Sequence, residues 1–286
     1  SCPITNRRPN TGRWPQLLHC AQFVVRIIGM NTTLRPDRNF DDLSDRFRRT
    51  IYETPRGQLR LAALRADFRQ FAGNIEHLRV RDLGGGQGQY ALELAQQGAR
   101  VELCDISAEM LAAASEAFAE AGQPLNSHCC SIQDAHQHFE GQADIVMNHA
   151  VLEWLEQPFD VIPQITAHVR NGGLLSLMFY NLHGHRWRQL MNGNPEDPEG
   201  ANPKLRDQGN APQHPLDPDA VMRCLQDLGF EILQWRGIRC IHDHMPQKVR
   251  ERVGYKRLEN ADLTWGTQDP YRQLGRYIHV MARKAD

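Results

Sequence analysis

Val80-Arg81-Asp82-Leu83-Gly84-Gly85-Gly86-Gln87-Gly88 is the stretch that decides the fold. An apolar run ends in it and a helical pattern opens from it, so it reads as strand, turn and helix start. Glycine suits that turn because the backbone must reverse sharply and admit a ligand with no Cβ in the way. Asp105 ends the next apolar run, seventeen residues after Gly88. A carboxylate at that place can accept both hydroxyls of a ribose. The dinucleotide fingerprint G-x-G-x-x-G fails, because counting from Gly84 its third glycine falls on Gln89.

Outward from this turn the texture repeats. Apolar runs at 78–83, 100–105, 127–132, 143–149 and 172–181 alternate with helical patterns at 90–97, 108–121 and 159–170. That alternation predicts an α/β fold, a mostly parallel sheet with helices on both faces. Upstream, Phe40, Leu43, Phe47, Ile51 and Tyr52 predict one helix, and Leu59, Leu61, Leu64, Phe68 and Phe71 a second, with Pro55-Arg56-Gly57 as punctuation between them. Downstream, 192–219 holds six of the sixteen prolines and reads as a long loop. A helix (220–228), a strand (230–234), a basic helical stretch (246–258) and a last strand near 277–283 follow. Residues 1–38 read as a mobile extension ahead of a single domain, 39–286; Met30 is a candidate initiator, and no signal-peptide pattern is found.

Composition narrows the classes. The 286 residues carry a net charge of −1, with 41% hydrophobic and 23% charged residues, ordinary values for a globular chain. Bulk positive charge is therefore not how this protein would hold a nucleic acid, although a local basic face is open to it. The longest stretch free of Asp, Glu, Lys and Arg is Asn171 to His185, too short to span a bilayer. Seven cysteines, an odd count with no CxxC pair, argue against a disulfide scaffold or a zinc ribbon. A reducing, cytoplasmic compartment is expected, with no membrane segment and no metal.

The D-x-G-x-G-x-G form, with Asp82 two residues before the first glycine, resembles the first motif of class I S-adenosylmethionine (SAM)-dependent methyltransferases. The resemblance implies a Rossmann-like, seven-stranded sheet with SAM beside the glycine turn. Several segments resemble a narrower family. They are Arg38 to Asp42, Gly57 to Arg60, His149 to Trp154, Leu175 to Asn181 and Leu274 to Val280. Together they look like the bacterial tRNA 5-carboxymethoxyuridine methyltransferases, over roughly Asp37 to Lys284. Such enzymes turn the carboxylate of a modified wobble uridine into its methyl ester. By position, the family's SAM contacts fall on Arg60, Gly84, Gly85, Asp105, Ile132, Gln133 and His149, with Gly86 and Asp134 beside them. Arg60 suits the methionine carboxylate, which a guanidinium can grip bidentately. Asp134 reads either as the acid on the adenine or as a helix N-cap.

The implied chemistry asks for no general base, and no catalytic acid or base is assigned. A carboxylate is ionised at neutral pH, so positioning supplies most of the rate gain. A cation is expected to orient the substrate carboxylate. Arg276 is the first candidate, with Tyr180, Asn181, Arg239 and Tyr277 as polar or stacking neighbours. The implied partner is tRNA, held at its anticodon loop. Arg46 to Arg69 carries seven arginines against two acids, and Lys248 to Arg257 five cations against one acid, as phosphate contacts need. Two rivals stand beside this reading. One is a small-molecule O-methyltransferase of the same fold, favoured by a 192–219 loop whose only cations are Lys204 and Arg206. The other is a SAM-binding protein without catalysis.

Overall fold

The computed structural model describes residues 54–196, 212 and 214–286. The expected extension (1–38), the helical run ending at Tyr52, Arg46 to Arg49 and most of the 192–219 loop lie outside them.

One seven-stranded sheet organises the described residues, in the order β3-β2-β1-β4-β5-β7-β6. The strands are β1 (Arg79–Leu83), β2 (Arg100–Asp105), β3 (Asn126–Cys129), β4 (Ala143–His149), β5 (Val169–Tyr180), β6 (Phe230–Ile238) and β7 (Tyr277–Lys284). The first five pair in parallel, and β7 runs antiparallel to both β5 and β6. The predicted architecture is therefore present. The antiparallel β7 matters for the site, because its amino end lies at the same sheet edge as the carboxyl ends of the other six strands.

Eight α-helices are described: α1 (Pro55–Phe71), α2 (Gln89–Ala95), α3 (Ala108–Glu120), α4 (Pro158–Ala167), α5 (Leu182–Met191), α6 (Pro218–Asp227), α7 (Gln247–Val253) and α8 (Tyr255–Trp265). Strand residues alternate between two cores. Val80, Leu103, Ile145 and Met147 pack with Leu64 and Phe68 of α1, Leu94 of α2 and Phe118 of α3. Leu83, Val146, Leu175 and Val280 pack with Val161 and Ile165 of α4 and Val221 and Leu225 of α6. Each such side chain contributes about 1.5–3 kcal/mol when fully buried, which makes a one-residue register slip prohibitive.

Several boundaries differ from the sequence reading, each for a local reason. Pro55-Arg56-Gly57 forms the first turn of α1, with Pro55 at the start and the hydroxyl of Thr54 accepting the N–H of Gly57 at 3.3 Å, and the helical run expected before it lies outside the described residues. The basic stretch 246–258 is two helices, because Gly254 adopts φ +80°, ψ 153° between α7 and α8. α5 was not foreseen. Asn181 caps it by accepting the N–H of His183 at 3.0 Å, and Gly184 is buried where a Cβ would collide with the carbonyl of Gly275. α6 begins at Pro218, inside the expected loop, with Asp217 as its N-cap. Among the described residues no helix is long and apolar enough to cross a membrane, and no group of three or more His, Cys, Asp or Glu is arranged to hold a metal ion.

Candidate active site

The carboxyl ends of β1, β2 and β4 each carry a turn that faces the same edge. After β1 the chain reverses through Gly84 at φ +74°, and a Cβ there would lie 2.7 Å from Cγ2 of Val151. The N–H groups of Gly84 and Gly85 donate to the carbonyl of Cys104 at 2.8 and 3.1 Å, tying the turn to β2. Gly86 donates its N–H to Oδ2 of Asp105 at 2.8 Å, and Ser107 donates to Oδ1 at 2.9 Å. A carboxylate oxygen can accept more than one hydrogen bond.

Asp82 lies beneath the turn, where a Cβ on Gly85 would fall 2.7 Å from its Oδ2. It is 5% exposed and its Oδ1 has no hydrogen-bond partner. Burial first, and the Asp105 charge second, push its carboxyl up to about 7. Next to Asp105, Ile106 is 43% exposed and offers an apolar face. These features fit SAM. The orphaned Asp82 oxygen suits the amino acid's ammonium, the glycines leave room along the turn, and Asp105 suits a ribose.

The turn after β3 holds Ile132 in the core and leaves Gln133 and Asp134 exposed. Asp134 stands at an N-cap position but bonds no backbone N–H. Its Oδ2 accepts from Ser131 Oγ at 2.7 Å and its Oδ1 from Gln137 Nε2 at 3.3 Å. His149 ends β4, with Nε2 2.8 Å from Oγ of Ser176. Burial, then His279, then Arg60 hold it well below the ordinary histidine value, so it is neutral. The charge of Arg60 on α1 also acts on Glu153 and Tyr277, which puts it in the same space.

The second half of the edge is built by β5, β6 and β7. Tyr180 pairs in register with Tyr277, and Tyr277 with Ile238, so Asn181, Arg239 and Arg276 are brought together at three strand ends. The guanidinium of Arg276 sits 5.1 Å from the Tyr180 ring, and that of Arg239 5.5 Å from the Tyr277 ring. The two tyrosine rings meet edge to face at 5.6 Å. Nε of each arginine is buried without a partner. Asp243 faces this group, 3.5 Å from Arg239, 3.9 Å from Arg56 and 2.8 Å from His242. Cations outnumber carboxylates in this group, which suits an anionic ligand. Asn181 is placed differently from its neighbours. It is fully buried, and its amide donates to the carbonyls of Gln273 and Gly275 at 2.8 and 2.7 Å. It anchors the loop that carries Arg276, and its polar atoms are all occupied.

Glu153 lies within the His149 to Trp154 segment, where no local signal in the sequence marks it. It is 0% exposed, and neither carboxylate oxygen has a hydrogen-bond partner. Burial pushes its carboxyl up to about 7. Helix α7 buries none of its residues and presents Lys248 and Arg252 to solvent, starting four residues after Asp243.

The profile of the methyltransferase domain family matches residues 81–177. The chain is 40% identical over 252 residues to the tRNA 5-carboxymethoxyuridine methyltransferase of Escherichia coli strain K12, covering 87% of this chain and 97% of that one. It is 30% identical over 110 residues to the ubiquinone biosynthesis O-methyltransferase of Chromobacterium violaceum, covering 38% of this chain and 47% of that one. The magnesium protoporphyrin IX methyltransferase of Synechocystis PCC 6803, solved with bound SAH, shares the fold at a TM-score of 0.58 and 17% identity, over 84% of this chain and 94% of that one.

Proposed function

The chain belongs to the tRNA 5-carboxymethoxyuridine methyltransferase family, and from that membership we propose that it transfers a methyl group from SAM to the carboxylate of 5-carboxymethoxyuridine in tRNA. The product is the methyl ester. The observation that carries the reading is the reach of the similarity, which takes in 97% of the tRNA enzyme and 87% of this chain. The ubiquinone O-methyltransferase similarity covers only 38% of this chain. A wobble uridine in the anticodon loop is the site we infer, and a tRNA substrate supports a cytoplasmic location.

SAM supplies an electrophilic methyl carbon on a sulfonium. In our reading Asp82 takes the ammonium, Arg60 the carboxylate, Asp105 the ribose hydroxyls, and Ile106 with Ile132, Gln133 and Asp134 the adenine. Arg276 and Arg239 hold the substrate carboxylate, and Tyr180 and Tyr277 wall its approach. No proton needs to move, because the attacking oxygen is already anionic. What the residues contribute is alignment of that oxygen with the methyl carbon, and exclusion of water by buried rings.

The test is direct. Purified protein and SAM are incubated with tRNA from a strain lacking this activity, and the nucleosides are read by mass spectrometry. Conversion of 5-carboxymethoxyuridine to its methyl ester is expected. An unchanged nucleoside alongside turnover of a small phenol or acid would replace this reading with the small-molecule one.

A further inference from the structure

Helix α5 leads away from the substrate pocket and turns apolar side chains toward solvent. Trp187 is 38% exposed, Leu190 43% and Met191 65%. Spaced i, i+3 and i+4, they form one strip along the helix. The helix holds no acidic residue. Arg186 and Arg188 flank Trp187 in the chain, about 100° to either side of it around the axis.

The indole is tied to the pocket from two directions. Its ring meets the exposed ring of His244 edge to face at 6.5 Å, and Nε2 of His244 lies 3.0 Å from the carbonyl of Leu274, two residues before Arg276. From the other side, Tyr180 immediately precedes Asn181, the N-cap of α5. The Tyr180 ring meets His185 at 5.8 Å and the Arg276 guanidinium at 5.1 Å. Trp187 follows six residues after that cap, about 9 Å along the helix. His244 also leads into α7, which exposes Lys248 and Arg252. The aromatic strip is thus bordered by cations of two helices. The nearby acids are engaged: Asp217 lies 3.7 Å from His183, Glu251 accepts from Gln247 at 2.8 Å, and Asp243 sits among Arg56, Arg239 and His242.

An exposed apolar strip marks a contact surface. A twofold contact between copies of this chain would set the arginines of one α5 against those of the other, which charge repulsion disfavours. A ring framed by cations is instead how single-stranded nucleic acid is held, with bases stacked on the aromatic face and phosphates on the cations. We propose that Trp187 is a stacking platform for a base next to the modified uridine, with Lys248 and Arg252 on the adjoining phosphates. This rests on the tRNA reading above. Holding the neighbouring base fixes the uridine so that its carboxylate reaches Arg276. Every base has a π-face, so the platform tolerates any neighbour, and the enzyme selects the modified uridine rather than the bases around it.

The test uses the full chain and anticodon stem-loops that carry 5-carboxymethoxyuridine, with 2-aminopurine replacing the base on one side of it or the other. Binding to wild type should quench one of the two probes. Trp187→Ala should abolish that quench and raise the KM for tRNA on the order of tenfold, the scale of one lost base–aromatic stack. SAM affinity and melting temperature should stay the same. The slope of affinity against salt should also hold, because no phosphate contact is lost. Trp187→Phe should keep the quench and most of the affinity. A Trp187→Leu variant as good as Trp187→Phe would show a merely apolar contact and overturn the platform. So would a dimeric wild type that Trp187→Ala makes monomeric in sedimentation, since the strip would then join two copies. Wild-type methylation of tRNA with an equal KM and quench in Trp187→Ala would overturn the platform alone. Wild type that leaves the 5-carboxymethoxyuridine of tRNA unmethylated would overturn the tRNA reading and the platform together.

Discussion

Oδ2 of Asp105 accepts the backbone N–H of Gly86 at 2.8 Å. The residue expected to grip the ribose therefore also holds the glycine turn in place, and its two tasks are coupled. Asp105→Ala is expected to weaken SAM by about 1.5–3 kcal/mol, the range for hydrogen bonds to a charged group. The turn should loosen at the same time, seen as faster hydrogen exchange at Gly86 and Ser107. Calorimetry showing unchanged SAM affinity in a folded variant would remove Asp105 from the site.

Gly84→Ala should be worse for the fold than its single methyl suggests. The residue sits at φ +74°, and its new Cβ would meet Cγ2 of Val151 at 2.7 Å. Left-handed strain and this clash together are expected to cost on the order of 1–3 kcal/mol. Thermal denaturation should show a fall of several degrees, with SAM binding lost as the turn shifts. An unchanged melting temperature would mean that the 150–154 segment moves aside freely.

Glu153 gives a pH signature with a definite sign. Its carboxyl is raised from 4.5 to about 7 by burial, so the folded state favours the protonated form. Its stability contribution is complete below about pH 4.5 and is lost as pH rises through about 7, since the native state then binds more protons than the unfolded one. The full loss is roughly 3 kcal/mol. Glu153→Gln should leave stability at pH 5 nearly unchanged and raise it at pH 8. Urea unfolding at the two pH values measures this, and a variant less stable at pH 8 would show that a donor reaches the carboxylate.

The parts of this fold that were legible in the sequence are those set by short-range rules. The strand of Arg79–Leu83, the glycine turn and Asp105 announce themselves through period, punctuation and spacing. The α5 helix did not, because Gly184, two histidines and two arginines mask its periodicity, and tertiary contact with Gly275 overrides propensity. In the candidate site, Arg276 and Arg239 are suggested by the chemistry of holding a carboxylate, and the antiparallel β7 is what brings them together. The buried contacts from Asp67 through His279 and Ser176 to His149 had no local signal. Asp67 and His279 are far apart in sequence and meet only once β7 inserts between β5 and β6. Asn181 was misplaced by the same limit: an amide after a strand reads as a ligand group, and only the fold shows its partners.

Helix α7 should contribute to tRNA affinity alone. It is basic and has no buried residues. Lys248→Glu with Arg252→Glu should raise the KM for tRNA and flatten its salt dependence, by about one counterion per lost phosphate contact. SAM affinity and melting temperature should not move. A salt dependence identical to wild type would shift tRNA docking to another face.

Arg276 is the anchor proposed for the substrate carboxylate, and its replacement separates the two halves of the site. Its guanidinium lies 5.1 Å from the Tyr180 ring, and its backbone N–H donates to the carbonyl of Ile238 at 2.8 Å, so the main chain stays fixed when the side chain is cut. Arg276→Leu should leave SAM affinity unchanged, because Asp82, Asp105 and the glycine turn lie on other strands. Its methyl-transfer rate should fall on the order of 100-fold, the loss expected when a reacting group is misplaced. Arg276→Lys should recover little, since a point charge lacks the planar fork that holds a carboxylate in one orientation. Single-turnover assays on tRNA bearing 5-carboxymethoxyuridine read both variants. A wild-type rate in Arg276→Leu would transfer the role to Arg239, whose guanidinium stacks at 5.5 Å from Tyr277 on the same edge. Arg239→Leu would then have to show the loss.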